Sequence, residues 1–210
     1  MQADKERIAR LLSYKNLLHR FESMGFVRFF SDNLADALGV SASLIRKDFS
    51  YFEILGHRKG GYFIEAVLER IHEIIGYDEE QKVALIGVGR IGEALIQYEG
   101  FKNHHIEIVA GFDSDRNKID ENSTPPIFHM EKLGEFLSDN EIKIAILAVP
   151  GHVTQPVIEI LQEEKVEGVL NFTPIELKST DKLMVRDINI EAELANLIYS
   201  VKQLKDKQYN

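Results

Sequence analysis

The 210-residue chain contains no cysteine, so disulfides, thiolate metal centres and cysteine nucleophiles are excluded by inventory. It lacks any apolar run near the roughly 18 residues of a membrane span. Met1 to Arg7 lacks the basic start and apolar core of a secretory signal. A cytoplasmic protein with no membrane partner is expected. Ligand spacing is missing as well: His104 and His105 are adjacent and would diverge on a strand, while His19, His57, His72 and His129 are scattered. No metal is expected, and no internal repeat or low-complexity tract is present.

Positive charge is scarce overall, with 25 Lys and Arg against 34 Asp and Glu and a net charge of -9. That balance argues against nucleic acid until it is divided along the chain. Residues 1–60 hold 10 basic and 7 acidic side chains, net +3, whereas residues 61–210 hold 15 and 27, net -12. The first part is free to meet phosphates, and the acidity belongs to the second. The length itself suggests two domains.

Ile8, Leu11, Leu12, Leu17, Leu18 and Phe21 lie near one face at helical spacing, which predicts an amphipathic helix ending at Met24 and Gly25. Ser31 is a good N-cap for a second helix through Leu34, Ala35 and Leu38, closed by Gly39, and Ser41 caps a third running to about Phe52. In the third, Leu44, Ile45, Phe49 and Phe52 gather on one side, and Ser43, Arg46, Lys47 and Ser50 project from the other. A helix, a glycine turn and a basic second helix have the geometry to enter a DNA major groove. Arg46 and Lys47 can reach guanine acceptors or phosphates, and Ser41, Ser43, Ser50 and Tyr51 can hydrogen-bond to the backbone. The alternative is a solvated basic helix face. His57 to Tyr62, with Arg58, Lys59 and two glycines, suits the basic tip of a winged helix. Ile64 to Ile75 is a further helix, and Gly76 to Gln81 a linker.

From Lys82 the pattern changes to apolar runs at Val83–Ile86, Ile106–Phe112, Ile144–Val149, Val166–Phe172 and Met184–Ile188, which predict buried parallel strands. Helices are expected between them at about Ile91–Tyr98, Met130–Leu137 and Val153–Gln162. This is the β-α-β alternation of an α/β, Rossmann-like doubly wound sheet. Ile190, Leu194, Leu197, Val201 and Leu204, widened by Ile198, form a heptad seam that packs on a partner or on its own domain. Three segments result: a winged helix-turn-helix domain over 1–78, a dinucleotide-binding domain over 79–188 and a C-terminal dimerisation helix over 189–210.

Gly87, Val88, Gly89, Arg90, Ile91 and Gly92 follow a strand and open a helix, the context that gives a glycine signature its meaning. Gly87 permits a tight turn, Gly89 lets backbone approach a pyrophosphate, and Gly92 lets helix pack on strand. The helix start offers N–H groups to the phosphates. Asp113, ending the next run, is placed to accept from the ribose hydroxyls, with Asp115 as rival, and its charge favours NAD(H) over NADP(H). Val149 and Pro150, like Phe172 and Pro174, mark the carboxyl edge where such sheets bind ligands. An NAD-dependent oxidoreductase would need a proton donor near the nicotinamide, for which His152 is the best candidate. A CoA-binding regulator is a third reading. No catalytic residue is assigned.

Ile45 to Phe52, Arg58, Gly61 and Tyr62, the glycine loop, Tyr98 to Phe101 and Asn171 to Pro174 together resemble the Rex family of redox-sensing repressors over nearly the whole chain. The resemblance implies a homodimer on an inverted-repeat operator in double-stranded DNA, with the C-terminal helix swapped onto the partner, and release of DNA as NADH rises relative to NAD. It implies a coenzyme site that includes Asn171, with Tyr98 and Phe172 near the nicotinamide. Departures are specific. Lys59 stands in a wing that usually reads Arg-Gly-x-Gly-Tyr. Asn16 and Asn189 stand where an Arg on the first helix and an Asp before the last one pair in family members, which removes a charged latch. Asp187 substitutes for it, or the switch is weak or differently wired.

Overall fold

The computed structural model describes residues 2–57, 60–76 and 80–208, and divides into two compact units, Met1–Glu79 and Glu80–Asn210. In the first, α1 (Gln2–Ser23) gives way to Gly25 at φ 86 and buries Leu11, Tyr14 and Leu18 on its periodic face. α2 (Ser31–Leu38) stops at Gly39 with φ 67, a left-handed value natural to glycine. α3 (Ala42–Tyr51) starts at Ser41, whose hydroxyl accepts from the Leu44 N–H at 3.2 Å. α4 (Ile64–Ile75) ends at Gly76.

Two details differ from expectation. Ser31 is the first helical residue rather than the cap: Phe30 occupies the cap position, and the Asn33 side chain accepts the Phe30 N–H at 2.7 Å. A two-residue strand β1 (Arg28–Phe29) pairs antiparallel with β2 (Tyr62–Phe63), a ladder too short to show as alternation. β2 leads back from the turn where the His57 N–H donates to the Gly61 carbonyl at 2.8 Å. Tyr62 stacks on Phe29 at 5.3 Å and meets the edge of Phe49 at 5.0 Å, so the ribbon packs directly on α3. Arg58 and Lys59, assigned to the wing tip, lie outside the described residues.

The second unit is a six-stranded, all-parallel sheet. Its strands are β3 (Gln81–Ile86), β4 (Ile106–Asp113), β5 (Ile127–His129), β6 (Ile144–Leu147), β7 (Gly168–Asn171) and β8 (Met184–Asp187), in spatial order β5-β4-β3-β6-β7-β8. The order reverses between β3 and β6, the place where doubly wound sheets open a crevice at their carboxyl ends. Central strands are buried on both faces, as at Val83 to Ile86, which is why they read as unbroken apolar runs. α5 (Arg90–Ile96), α6 (Leu133–Asp139) and α7 (Thr154–Glu163) connect them. Met130–Lys132 forms a separate 3-10 turn ahead of α6. The edge strand β5 is three half-buried residues and carries no apolar run.

α8 (Ile190–Gln208) begins where the Asn189 side chain accepts the Ala192 N–H at 2.9 Å. Ile190, Leu194, Leu197, Val201 and Leu204 are 43 to 65 % exposed. The expected seam is therefore present and uncovered by its own unit. No helix of the described residues is long and apolar enough to cross a membrane, and no cluster of three or more potential metal ligands occurs among them.

Candidate DNA interface and dinucleotide site

α3 sorts its residues as its periodicity demands. Ser43, Arg46, Lys47 and Ser50 are exposed, and Ile45, Asp48 and Phe49 are buried. The buried carboxylate was not singled out from sequence, although its place between Ile45 and Phe49 on the apolar face is a visible signal. Arg10 of α1 donates through Nε and Nη2 to Oδ2 and Oδ1 of Asp48, both at 2.7 Å, and the Tyr14 hydroxyl donates to Oδ2 at 2.8 Å. Burial pushes the Asp48 carboxyl up, but the hydrogen bonds from Arg10 and Tyr14 and the Arg10 charge outweigh it and hold it below the ordinary range. A bidentate ion pair thus fixes the angle at which α1 presents α3.

Around this clamp, Tyr51 is 54 % exposed and carries the Arg7 guanidinium over its ring at 4.1 Å. The Ser41 oxygen is engaged as the α3 cap, which leaves its O–H as the donor for a phosphate. Asn16 is exposed on α1. Asn189 is engaged in starting α8. Asp187, the candidate replacement for the lost charge, instead accepts the Asn171 Nδ2–H at 2.6 Å within its own unit.

At the reversal point of the sheet a cavity of about 530 Å³ is lined by Gly87, Gly89, Ile91, Asp113, Val149, Pro150, Phe172 and Pro174, eight of the residues expected there. Lys118, Ser114 and Met130 also line it and were not foreseen. Val149 and Phe172 reach it because β6 and β7 end at Leu147 and Asn171, earlier than their apolar runs, so these side chains sit on loops. Gly87 has φ 95, and a Cβ there would strike the Ala148 carbonyl; a Cβ on Gly92 would strike the carbonyl of Gly87. A Cβ on Gly89, in contrast, would meet nothing within 4 Å. Gly87 and Gly92 let the chain turn and pack, and Gly89 leaves a wall of the cavity open. The donor set and the open backbone fit a dinucleotide.

Asp113 Oδ2 accepts the Val88 N–H at 2.9 Å and the Lys118 ammonium at 3.2 Å, and Oδ1 accepts the Asp115 N–H at 2.9 Å. Burial raises its carboxyl, while the Asp115 N–H, Lys118 and the Val88 N–H together hold it below the ordinary value. It therefore stays ionised and also props the glycine loop. Asp115, the rival, spends Oδ1 on the Asn117 N–H at 3.0 Å and does not line the cavity.

Five expected residues fall outside the lining. Val88 is buried and acts through its N–H, Gly92 packs behind the loop, and Arg90 is exposed. Asn171 is 1 % exposed and braces the rim, donating to the Ile175 carbonyl at 2.8 Å while its Oδ1 accepts the Thr173 N–H at 3.0 Å. Tyr98 is 59 % exposed with its ring edge-on to Phe101 at 5.0 Å. His152 is exposed and absent from the lining, so the cavity lacks the proton donor that an oxidoreductase reading placed there.

Residues 78–175 match a family model described as a CoA binding domain, and residues 5–50 match a putative DNA-binding protein N-terminus. The chain is 37 % identical over 191 residues to the redox-sensing transcriptional repressor Rex of an Exiguobacterium species, covering 90 % of this chain and 88 % of that one. It is 36 % identical over 199 residues to the protein of the same description from Listeria welshimeri, covering 94 % and 93 %. Among solved structures it resembles RSP in complex with β-NAD+ and operator DNA, with a TM-score of 0.89 at 25 % identity over 98 % of this chain and 95 % of that one. It also resembles RSP in complex with β-NADH, with a TM-score of 0.82 at 25 % identity over 97 % and 96 %.

Proposed function

Because the chain belongs to the Rex family of redox-sensing transcriptional repressors, we propose that it binds an inverted-repeat operator as a homodimer in the cytoplasm and leaves that operator when NADH fills the cavity of its sheet. It is a DNA-binding repressor and not an enzyme. One observation carries the reading: a basic, exposed face on α3 and a dinucleotide cavity at the reversal of the sheet occur in one chain whose whole length resembles a repressor solved with both NAD+ and operator DNA.

In this reading Ser43, Arg46, Lys47, Ser50 and Tyr51 meet the operator, with Ser41 at the start of the helix. Gly87 to Gly92 and Asp113 hold the coenzyme's phosphates and ribose, and Val149, Pro150 and Phe172 wall its nicotinamide end. The uncovered seam of α8 packs on a second copy, which would bury five large apolar side chains otherwise left in water. Leu197→Asp should convert the dimer to a monomer in sedimentation. Asn16 and Asn189 keep hydrogen-bonding capacity without charge, so whatever contact they form between states should depend little on salt.

Release is a population shift between two dimer geometries, only one of which matches the half-site spacing. A coenzyme can bias it only by binding one geometry better, and a tenfold loss of operator affinity needs about 1.4 kcal/mol of such bias. An operator gel shift at one salt concentration tests this: NADH should weaken binding at least tenfold relative to NAD+. Equal affinities with both forms would remove NADH sensing and leave DNA binding standing. The match of residues 78–175 to a CoA-binding domain favours one rival ligand. Calorimetric titration separates the two, with NADH expected to bind and CoA not.

A further inference from the structure

We infer that Ser31 is a positioning residue for base reading: its hydroxyl tethers the Arg46 guanidinium and so pre-orients it toward the operator. The inference rests on the proposed role of α3 as the reading helix. Ser31 looks like a helix cap in sequence, yet Phe30 holds that position and Asn33 supplies the side-chain acceptor, so the Ser31 hydroxyl is left over from the start of α2. Its use is on the page. Ser31 is 6 % exposed, and its Oγ accepts from Arg46 Nη1 at 2.8 Å, from a residue 15 positions away on the next helix.

The geometry of the guanidinium explains what this contact does. Arginine presents five N–H donors in a rigid plane, and the Nε–Nη2 edge is the one that Arg10 uses on both oxygens of Asp48 in this same unit. Anchoring Arg46 through Nη1 leaves its Nε–Nη2 edge for the two acceptors of a guanine. The Arg46 guanidinium makes no other hydrogen bond among the described residues. A long exposed side chain otherwise samples many rotamers, and ordering it is charged against binding. Ser31, fixed at the first turn of α2, does part of that ordering before DNA arrives.

The test is a double-mutant cycle on the full-length protein, reading operator against scrambled DNA at one salt concentration, with melting temperatures to confirm folding. Arg46→Ala should lose selectivity. Ser31→Ala should lower selectivity about tenfold, the value of one charge-assisted hydrogen bond, without changing affinity for scrambled DNA. Ser31→Thr, which keeps the hydroxyl, should restore it. In an Arg46→Ala background, Ser31→Ala should have no further effect. If Arg46→Ala is silent, the reading of α3 fails. If Arg46→Ala loses selectivity while Ser31→Ala does not, or the two losses simply add, only the positioning role is overturned. On the unmutated protein, NMR should show slowed rotation about the Arg46 Nε–Cζ bond; rotation as fast as in a free arginine would overturn the role independently of any variant.

Discussion

The two units hold themselves together with different chemistry. Among the described residues, the buried charged side chains, Lys15 and Asp48, both belong to the N-terminal unit, and burial lowers the Lys15 pKa. Among the described residues of the C-terminal unit the buried polar side chains, Thr154, Asn171 and Thr173, are neutral, and its ion-paired Asp113 is only partly buried. A reading helix must keep one angle to meet a groove, and a bidentate ion pair supplies direction that apolar packing does not. A coenzyme pocket must instead keep backbone close and open, which glycines and a braced loop provide. Charge does not divide at the same boundary: residues 1–60, which carry α3, hold a net +3, but with residues 61–79 the N-terminal unit stands at net -1, against net -8 for the C-terminal unit, so the positive charge is local to the first 60 residues.

The most severe break of this contrast is Asp48→Ala. It strands Arg10 and Tyr14 and should cost about 3 to 5 kcal/mol, seen as earlier denaturation of the N-terminal unit and loss of operator binding. NADH uptake by the other unit should persist. Gly87→Val is the mirror experiment. A β-branched residue at φ 95 that also strikes the Ala148 carbonyl should lower NADH affinity by tenfold or more in calorimetry. Operator binding without coenzyme should survive it.

Smaller effects sharpen the same division. Arg46→Ala should remove about 1 to 3 kcal/mol of operator affinity and relax base preference, with coenzyme affinity unchanged. Acid should act weakly on both units. Asp48 and Asp113 each have carboxyls held below the ordinary value, so their stabilisation is present in full above the unfolded pKa near 3.8 and is lost only as pH falls through the folded values beneath it. Between pH 8 and pH 5 a melting series should show no loss from either group; a loss in that window would mean the carboxylates are not held as their contacts indicate.

What was legible in the sequence was whatever repeats with a period. The apolar runs of β3 and β4, the face of α1, the glycine loop and the seam of α8 all follow from spacing. Elements made of two or three residues, β1 and β5, have no period to read. Strand ends were overrun at Val149 and Phe172 because apolar character continues past the last ladder bond into the wall of the cavity. Asp48 and Ser31 were missed or misassigned for a common reason. Their roles depend on partners 38 and 15 residues away, on different helices, and local propensity carries no record of such contacts.

The central claim is that coenzyme and operator compete through two geometries of one dimer, and reciprocity tests it most directly. Measuring NADH affinity for the free protein and for the protein saturated with operator should show weaker binding on DNA, by the same factor, at least tenfold, by which NADH weakens the operator. Equal NADH affinity in the two states would contradict the coupling, however tightly each ligand binds alone.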